Sequence, residues 1–168
     1  MPVADDLVLR ETTDADWPAV WALLEPVMRA GESYCWPRDV TADQARPRWV
    51  EPPPARTYVA VLPDGTVVGT AQLHPNQDAA GAHVANAGFV TSATAGVRGV
   101  GRRLAEHVVA EATRQGYRAM QFNAVVETNR RAVALWRSLG FEVVGTVPEA
   151  FDHPTHGLVG LHVMHRRL

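Results

Sequence analysis

Past the middle of the chain stands Gly96-Val97-Arg98-Gly99-Val100-Gly101-Arg102-Arg103-Leu104, after a stretch that reads as a strand and before one that reads as a helix. Glycines in such a turn let the main chain approach a ligand closely and turn its N–H groups inward. The helix start adds the positive end of a dipole, so the place suits phosphate oxygens. Two ways of binding phosphate are excluded. A P-loop needs Gly-Lys-Ser/Thr, and all 16 basic residues here are Arg. A dinucleotide-binding βαβ unit puts its glycine turn after the first strand, with an acidic residue closing a later one, whereas this turn comes past mid-chain.

Hydrophobic spacing predicts the elements around the turn. Leu7–Thr12 predicts a strand, and Trp17–Arg29 a helix with Trp17, Val20, Trp21, Leu24 and Met28 on one face. Pro18 suits its first turn and Gly31 its stop. Glu32–Val40 predicts a loop, and Thr41–Val50 a short helix capped by Thr41 and interrupted near Pro47. Arg56–Leu62 and Thr66–Leu73 flank Pro63-Asp64-Gly65, the pattern of a β-hairpin. A polar loop, His74–Gly81, leads to a strand at Ala82–Val90. After the turn come a helix over Val100–Gln115, a strand over Ala119–Val126 and a helix over Asn129–Leu139. Strands at Glu142–Val147 and Leu158–His165 finish the chain, with Pro148–Gly157 expected as a loop. The order β-α-α-β-β-β-α-β-α-β-β predicts an α/β fold in three layers, with helices on both faces of a mixed sheet.

A chain of 168 residues predicts one domain, residues 1–168, large enough for a core without disulfides or metal. Cys35 is the single cysteine, and no third ligand completes a metal site around the histidines, so no metal is expected. The net charge is −2, so no basic field recruits nucleic acid or anionic lipid. Met1–Asp6 lacks the basic and apolar regions of a signal peptide, and no apolar run approaches the ~20 residues of a membrane span. A cytoplasmic protein is expected, without nucleic-acid or membrane partners. A homodimer is compatible with the sequence.

The strand, the Gly99-Val100-Gly101 turn, the helix, the strand ending Asn123–Val126, and Asn129 followed by Trp136-Arg137-Ser138-Leu139-Gly140-Phe141 together resemble the Gcn5-related N-acetyltransferase superfamily. The resemblance implies splayed fourth and fifth strands that admit the pantetheine arm of acetyl-CoA, with the pyrophosphate on the turn. By that likeness Val97, Arg98, Gly99, Val100, Gly101 and Arg102 hold the cosubstrate's phosphates, and Phe89, Val90 and Asn129 line its arm. Main-chain N–H groups near Phe89–Val90 are expected to polarise the thioester carbonyl. The pattern departs at Gly96, where the family has Gln or Arg, and at Trp136, where it often has a Tyr that protonates the leaving thiolate. Indole is too weak an acid for that. Asn86-Ala87-Gly88-Phe89-Val90 and Met120–Asn129 resemble more closely the subgroup containing fungal acetyltransferases of proline analogues such as azetidine-2-carboxylate. This implies a small amino-acid-like amine. A non-catalytic acyl-CoA-binding module and a protein or peptide N-acetyltransferase are the alternatives.

Asn86 and Asn123 point the same way without the resemblance. An unpaired buried amide costs ~1–3 kcal/mol, so amides within strands of Ala, Val and Phe call for a partner, and two on adjacent strands favour a ligand site. Both are read as catalytic and acceptor-binding, with Tyr34, Trp36 and Phe89 walling the acceptor pocket. The general base is left open among Glu32, His74, His83, Glu127, His153 and His156. His153 and His156 fall in the expected Pro148–Gly157 loop, which is read as covering the pocket together with Tyr34–Pro37.

Overall fold

Seven strands and four α-helices follow from these patterns, in a computed structural model that describes residues 6–168. The first five residues of the Met1–Asp6 reading lie outside the described part. In chain order the elements are β1 (Val8–Glu11), α1 (Trp17–Ala30), α2 (Ala42–Trp49), β2 (Arg56–Val61), β3 (Val67–Pro75), β4 (Val84–Thr91), α3 (Val100–Arg114), β5 (Ala119–Val126), α4 (Arg130–Ser138), β6 (Glu142–His153) and β7 (Gly157–Arg167). The strands form one sheet in the order β1-β2-β3-β4-β5-β7-β6. Every neighbouring pair is antiparallel except β4 and β5. That parallel pair meets only at Val84↔Ala119 and Ala85↔Met120, and beyond those residues the strands part.

Each sheet face carries its own core. Val20, Leu24 and Met28 of α1 pack with Trp49 of α2 against Val59 and Val90. On the other face Leu104, Val108 and Ala112 of α3 and Trp136 of α4 cover Leu73, Ala85, Met120 and Phe122. Of the α1 stripe, Val20, Leu24 and Met28 are buried and Trp17 and Trp21 half-buried, while α3 buries Val100, Leu104, Val108 and Ala112.

Two departures bear on the site. β3 runs on to Pro75, so His74 belongs to a strand and not to the polar loop. The expected Pro148–Gly157 loop is instead mostly hairpin, since β6 reaches His153 and β7 starts at Gly157. Pro148 broke the sequence pattern, but β6 is the sheet's edge and shifts register between Val147 and Phe151. An edge strand with a bulge tolerates a residue that has no N–H to give. Phe151 and Val159 pack on Val126 and hold the extension down.

Candidate active site

The phase of the β3–β4 ladder decides what faces the gap. The Asn76 N–H donates to the Val84 carbonyl at 2.8 Å at one end, and the Ser92 N–H to the Val68 carbonyl at 2.9 Å at the other. Even-numbered β4 residues therefore spend their main-chain bonds on β3, and the main chain of Ala87 and Phe89 faces the side from which β5 has departed. Side chains alternate as well. Ala85, Ala87 and Phe89 join the α3–α4 core and Val90 joins the α1–α2 core, which leaves Asn86 and Gly88 on the α1–α2 face. His74 and Gln72 lie opposite them in register. This face thus runs from Val90 and Thr70, whose hydroxyl accepts the Trp49 indole N–H at 3.0 Å, to a polar patch of Gln72, His74, Asn86 and Gly88.

That patch floors a cavity of about 460 Å³, walled by Tyr34, Cys35 and Trp36 from the loop after α1 and by Phe122, Asn123 and Trp136 from across the gap. A Cβ at Gly88 would come within 3.2 Å of both the Tyr34 hydroxyl and the Gln72 amide nitrogen. Its absence lets Tyr34 reach the strand edge, where its hydroxyl accepts the Phe89 N–H at 2.9 Å and donates to the Phe89 carbonyl at 3.1 Å. The Asn86 Oδ1 accepts the Ala87 N–H at 2.8 Å. Side chains thereby satisfy main-chain groups that the parting of β4 and β5 would have stranded. The expectation that N–H groups near Phe89–Val90 meet the thioester carbonyl is corrected for Val90, whose N–H lies on the β3 side; that of Phe89 faces the gap and donates to the Tyr34 hydroxyl. Burial pushes the Tyr34 hydroxyl above the usual phenol range, so it stays protonated through neutral pH. Burial likewise raises the Cys35 thiol.

The asparagines reach the cavity by a different route from the one expected. Asn123 is exposed and not buried, because β5 shifts register against β7 between Phe122 and Val125. Its Nδ2 donates to Asn76 Oδ1 at 2.7 Å and its Oδ1 accepts from Gln121 Nε2 at 2.9 Å. Asn86 is half-buried. Among the residues lining the cavity, Gln72 Oε1 is a buried acceptor without a partner. Sequence reasoning missed Gln72 and Asn76. The hairpin pattern held the signal for Gln72, two residues before His74 and so on the same strand face.

At the other end of the gap Gly99 has φ +86°, a left-handed conformation that favours glycine, and it caps α3 with no side chain of its own. The first helical bond from this turn runs from the Arg103 N–H to the Gly99 carbonyl at 3.0 Å. The N–H groups of Val100, Gly101 and Arg102 precede it and have no acceptor within the helix. A Cβ at Gly101 would find its nearest neighbours, on Leu135 and Thr91, at 3.8 Å. Arg98 is exposed and Val97 packs on the core. The Arg102 guanidinium is directed to α4, where it donates to Ser138 Oγ at 2.7 Å. Asn129 both caps α4, accepting the Ala132 N–H at 3.2 Å, and lines the cavity. Trp136 packs its ring 4.9 Å from Phe89 and 4.7 Å from Phe122.

Of the six candidate bases, His74 alone lines the cavity. Glu127 is tied to β7, accepting the Gly160 N–H at 2.5 Å. His153 is buried beside the β6–β7 turn, where its Nδ1 accepts the Thr155 N–H at 3.2 Å, and His156 rests on it with ring centroids 4.5 Å apart. Neither of these, nor Glu32, nor His83, lines the cavity, and the hairpin does not cover it.

Known proteins share this fold. The model of the acetyltransferase (GNAT) family matches residues 17–141. A structure of a GCN5-related N-acetyltransferase from Kribbella flavida is 54% identical, covers 98% of this chain and 99% of its own, and superposes with a TM-score of 0.94. A phosphinothricin acetyltransferase from Sinorhizobium meliloti, solved in complex with acetyl-CoA, shares the fold at a TM-score of 0.86 and 22% identity, covering 97% of this chain and 89% of its own. The N-acetyltransferase aca1 of Schizosaccharomyces pombe is 32% identical over 85 residues, which make up 51% of this chain and 41% of the fungal protein.

Proposed function

This chain belongs to the acetyltransferase (GNAT) family, and from that premise we propose that it transfers the acetyl group of acetyl-CoA to the amine of a small molecule, an amino acid or proline analogue. The observation that carries the acceptor is the patch of Gln72, His74 and Asn86 in a cavity whose walls, among the described residues, include no carboxylate and no guanidinium. Neutral amides give both donors and acceptors, so they can hold the ammonium and carboxylate of an amino acid without adding charge. Tyr34 and Trp36 wall the cavity, which favours a small acceptor over a peptide. The likeness to the fungal N-acetyltransferase is consistent with the fungal subgroup that Asn86–Val90 and Met120–Asn129 resemble.

The residues fit acetyl-CoA. The N–H groups of Val100, Gly101 and Arg102 suit its pyrophosphate, Gly101 leaves room for close approach, and the β4–β5 gap leads past Phe89 and Asn129 toward the acceptor patch. Catalysis then rests mainly on holding the amine at the thioester carbonyl. Trp136 supplies no proton. The leaving thiol, with a pKa near the ~8.5 of cysteine, departs as a thiolate with little help.

Asn86→Ala and Asn123→Ala test the acceptor assignment. With azetidine-2-carboxylate as acceptor, each should lower kcat/KM roughly 10–100-fold, the loss of one hydrogen bond, while acetyl-CoA affinity by calorimetry holds. Lower thermal stability with undiminished activity of the folded fraction would make both residues structural only.

A further inference from the structure

Within that acetyl-transfer reading, we propose that His74 is the general base, acting through Nε2 on the acceptor nitrogen. Three observations converge on it. The titratable side chains lining the cavity, among the described residues, are Tyr34, Cys35 and His74. Tyr34 holds both main-chain groups of Phe89 and is kept protonated by burial, and the Cys35 thiol is also pushed up. Of the three, the imidazole is the one whose chemistry suits a general base.

Its tautomer is fixed. His74 Nδ1 lies 2.9 Å from the Pro75 carbonyl oxygen. A carbonyl only accepts, so Nδ1 carries the proton and the lone pair sits on Nε2. Its place is fixed too. His74 stands opposite Asn86 in register and two residues from Gln72 on the same strand face. The Asn86 amide is oriented by the Ala87 N–H, which claims its oxygen and leaves the NH₂ as donor. Asn76, two residues after His74, ties the end of β3 to Asn123 across the gap. The base thus sits on the floor that would hold the amine, between two anchored asparagines.

The step balances as follows. The acceptor enters as an ammonium and gives one proton to Nε2. The freed lone pair forms the N–C bond, and the C–S bond breaks with its electrons going to sulfur. The second nitrogen proton passes through water to the thiolate, and the imidazolium returns its proton to solvent. The products are the amide, the free thiol and one proton.

The test is the pH dependence of kcat/KM with azetidine-2-carboxylate and acetyl-CoA, for the wild type, His74→Gln and His74→Ala, with acetyl-CoA affinity measured alongside by calorimetry. His74→Gln should lose roughly 10²–10⁴-fold in kcat/KM, the span of general base catalysis, and should lose the acid limb of the profile while binding acetyl-CoA as before. Added imidazole should restore part of the His74→Ala rate, which a purely structural histidine would not allow. Activity within threefold of wild type, or an acid limb that survives in His74→Gln, overturns the assignment. A wild type that binds acetyl-CoA but releases no thiol with any amine overturns the transfer reading itself, and the base with it.

Discussion

The bond between Tyr34 and Phe89 shows how one side chain joins fold to site. A single hydroxyl satisfies the N–H and the carbonyl of a strand residue that the parting of β4 and β5 left without a neighbour. Tyr34→Phe removes both bonds at once. It should cost about 2 kcal/mol, or about 4–8 °C in Tm for a chain of this size, and an unchanged melting curve would mean that solvent replaces the hydroxyl freely. Gly88→Ala tests the same contact from beneath. The added methyl would meet Tyr34 and Gln72 at 3.2 Å and Trp49 at 3.3 Å, and Tyr34 is held from two sides. The substitution should cost about 1–3 kcal/mol and raise KM for the acceptor more than for acetyl-CoA. A variant with wild-type Tm and KM would show that the neighbours give way.

At the scale of elements, the start of α3 separates glycines needed by the chain from those needed by a ligand. Gly99 has φ +86°, so Gly99→Ala should destabilise the fold by about 1–2 kcal/mol. Gly101 has ordinary space around a Cβ, so Gly101→Ala should melt no lower than wild type. Gly101→Asp, which sets a carboxylate against the pyrophosphate, should weaken acetyl-CoA by at least tenfold, about 1.4 kcal/mol, and equal affinity in calorimetry with the fold intact would remove the turn from the cosubstrate site. This turn was legible in the sequence because glycine spacing is local. The buried Val20, Leu24 and Met28 of the α1 stripe and the Asp64-Gly65 hairpin were legible for the same reason. The length of β6 was not, since Pro148 reads as a break until the sheet's edge and the register shift are known. Nor was the partnering of Asn123, whose bonds reach Asn76 from another strand's end. Six candidate bases were legible as residue types, but only the β3–β4 register sorts His74 from the rest.

For the molecule as a whole, His107 and Asp16 are among the groups that set how stability responds to acid. Burial, and then the charge of Arg114, lowers the pKa of His107 on α3, where its ring packs 5.1 Å from Tyr58. The unfolded chain therefore binds this proton first, and stability should fall as pH drops below the ordinary imidazole value of ~6.5. His107→Gln should flatten that slope in denaturant melts between pH 7.5 and 5, and an unchanged slope would show that the imidazole charges equally in both states. Asp16 acts in a lower window. The bond from Arg10, at 2.7 Å, and those from Thr13 hold its carboxyl well below the usual range. Its contribution should persist above pH ~4 and disappear below it as the unfolded chain takes up the proton. Under the proposed function, the β4–β5 cleft delivers acetyl-CoA to a small amine on the patch of Gln72, His74 and Asn86. Thiol release from acetyl-CoA, measured with free amino acids and azetidine-2-carboxylate beside peptides bearing free N-termini, tests it most directly. Turnover is expected with free small amines and none with the peptides; turnover confined to peptides, or none with any amine while acetyl-CoA binds, would rule this delivery out.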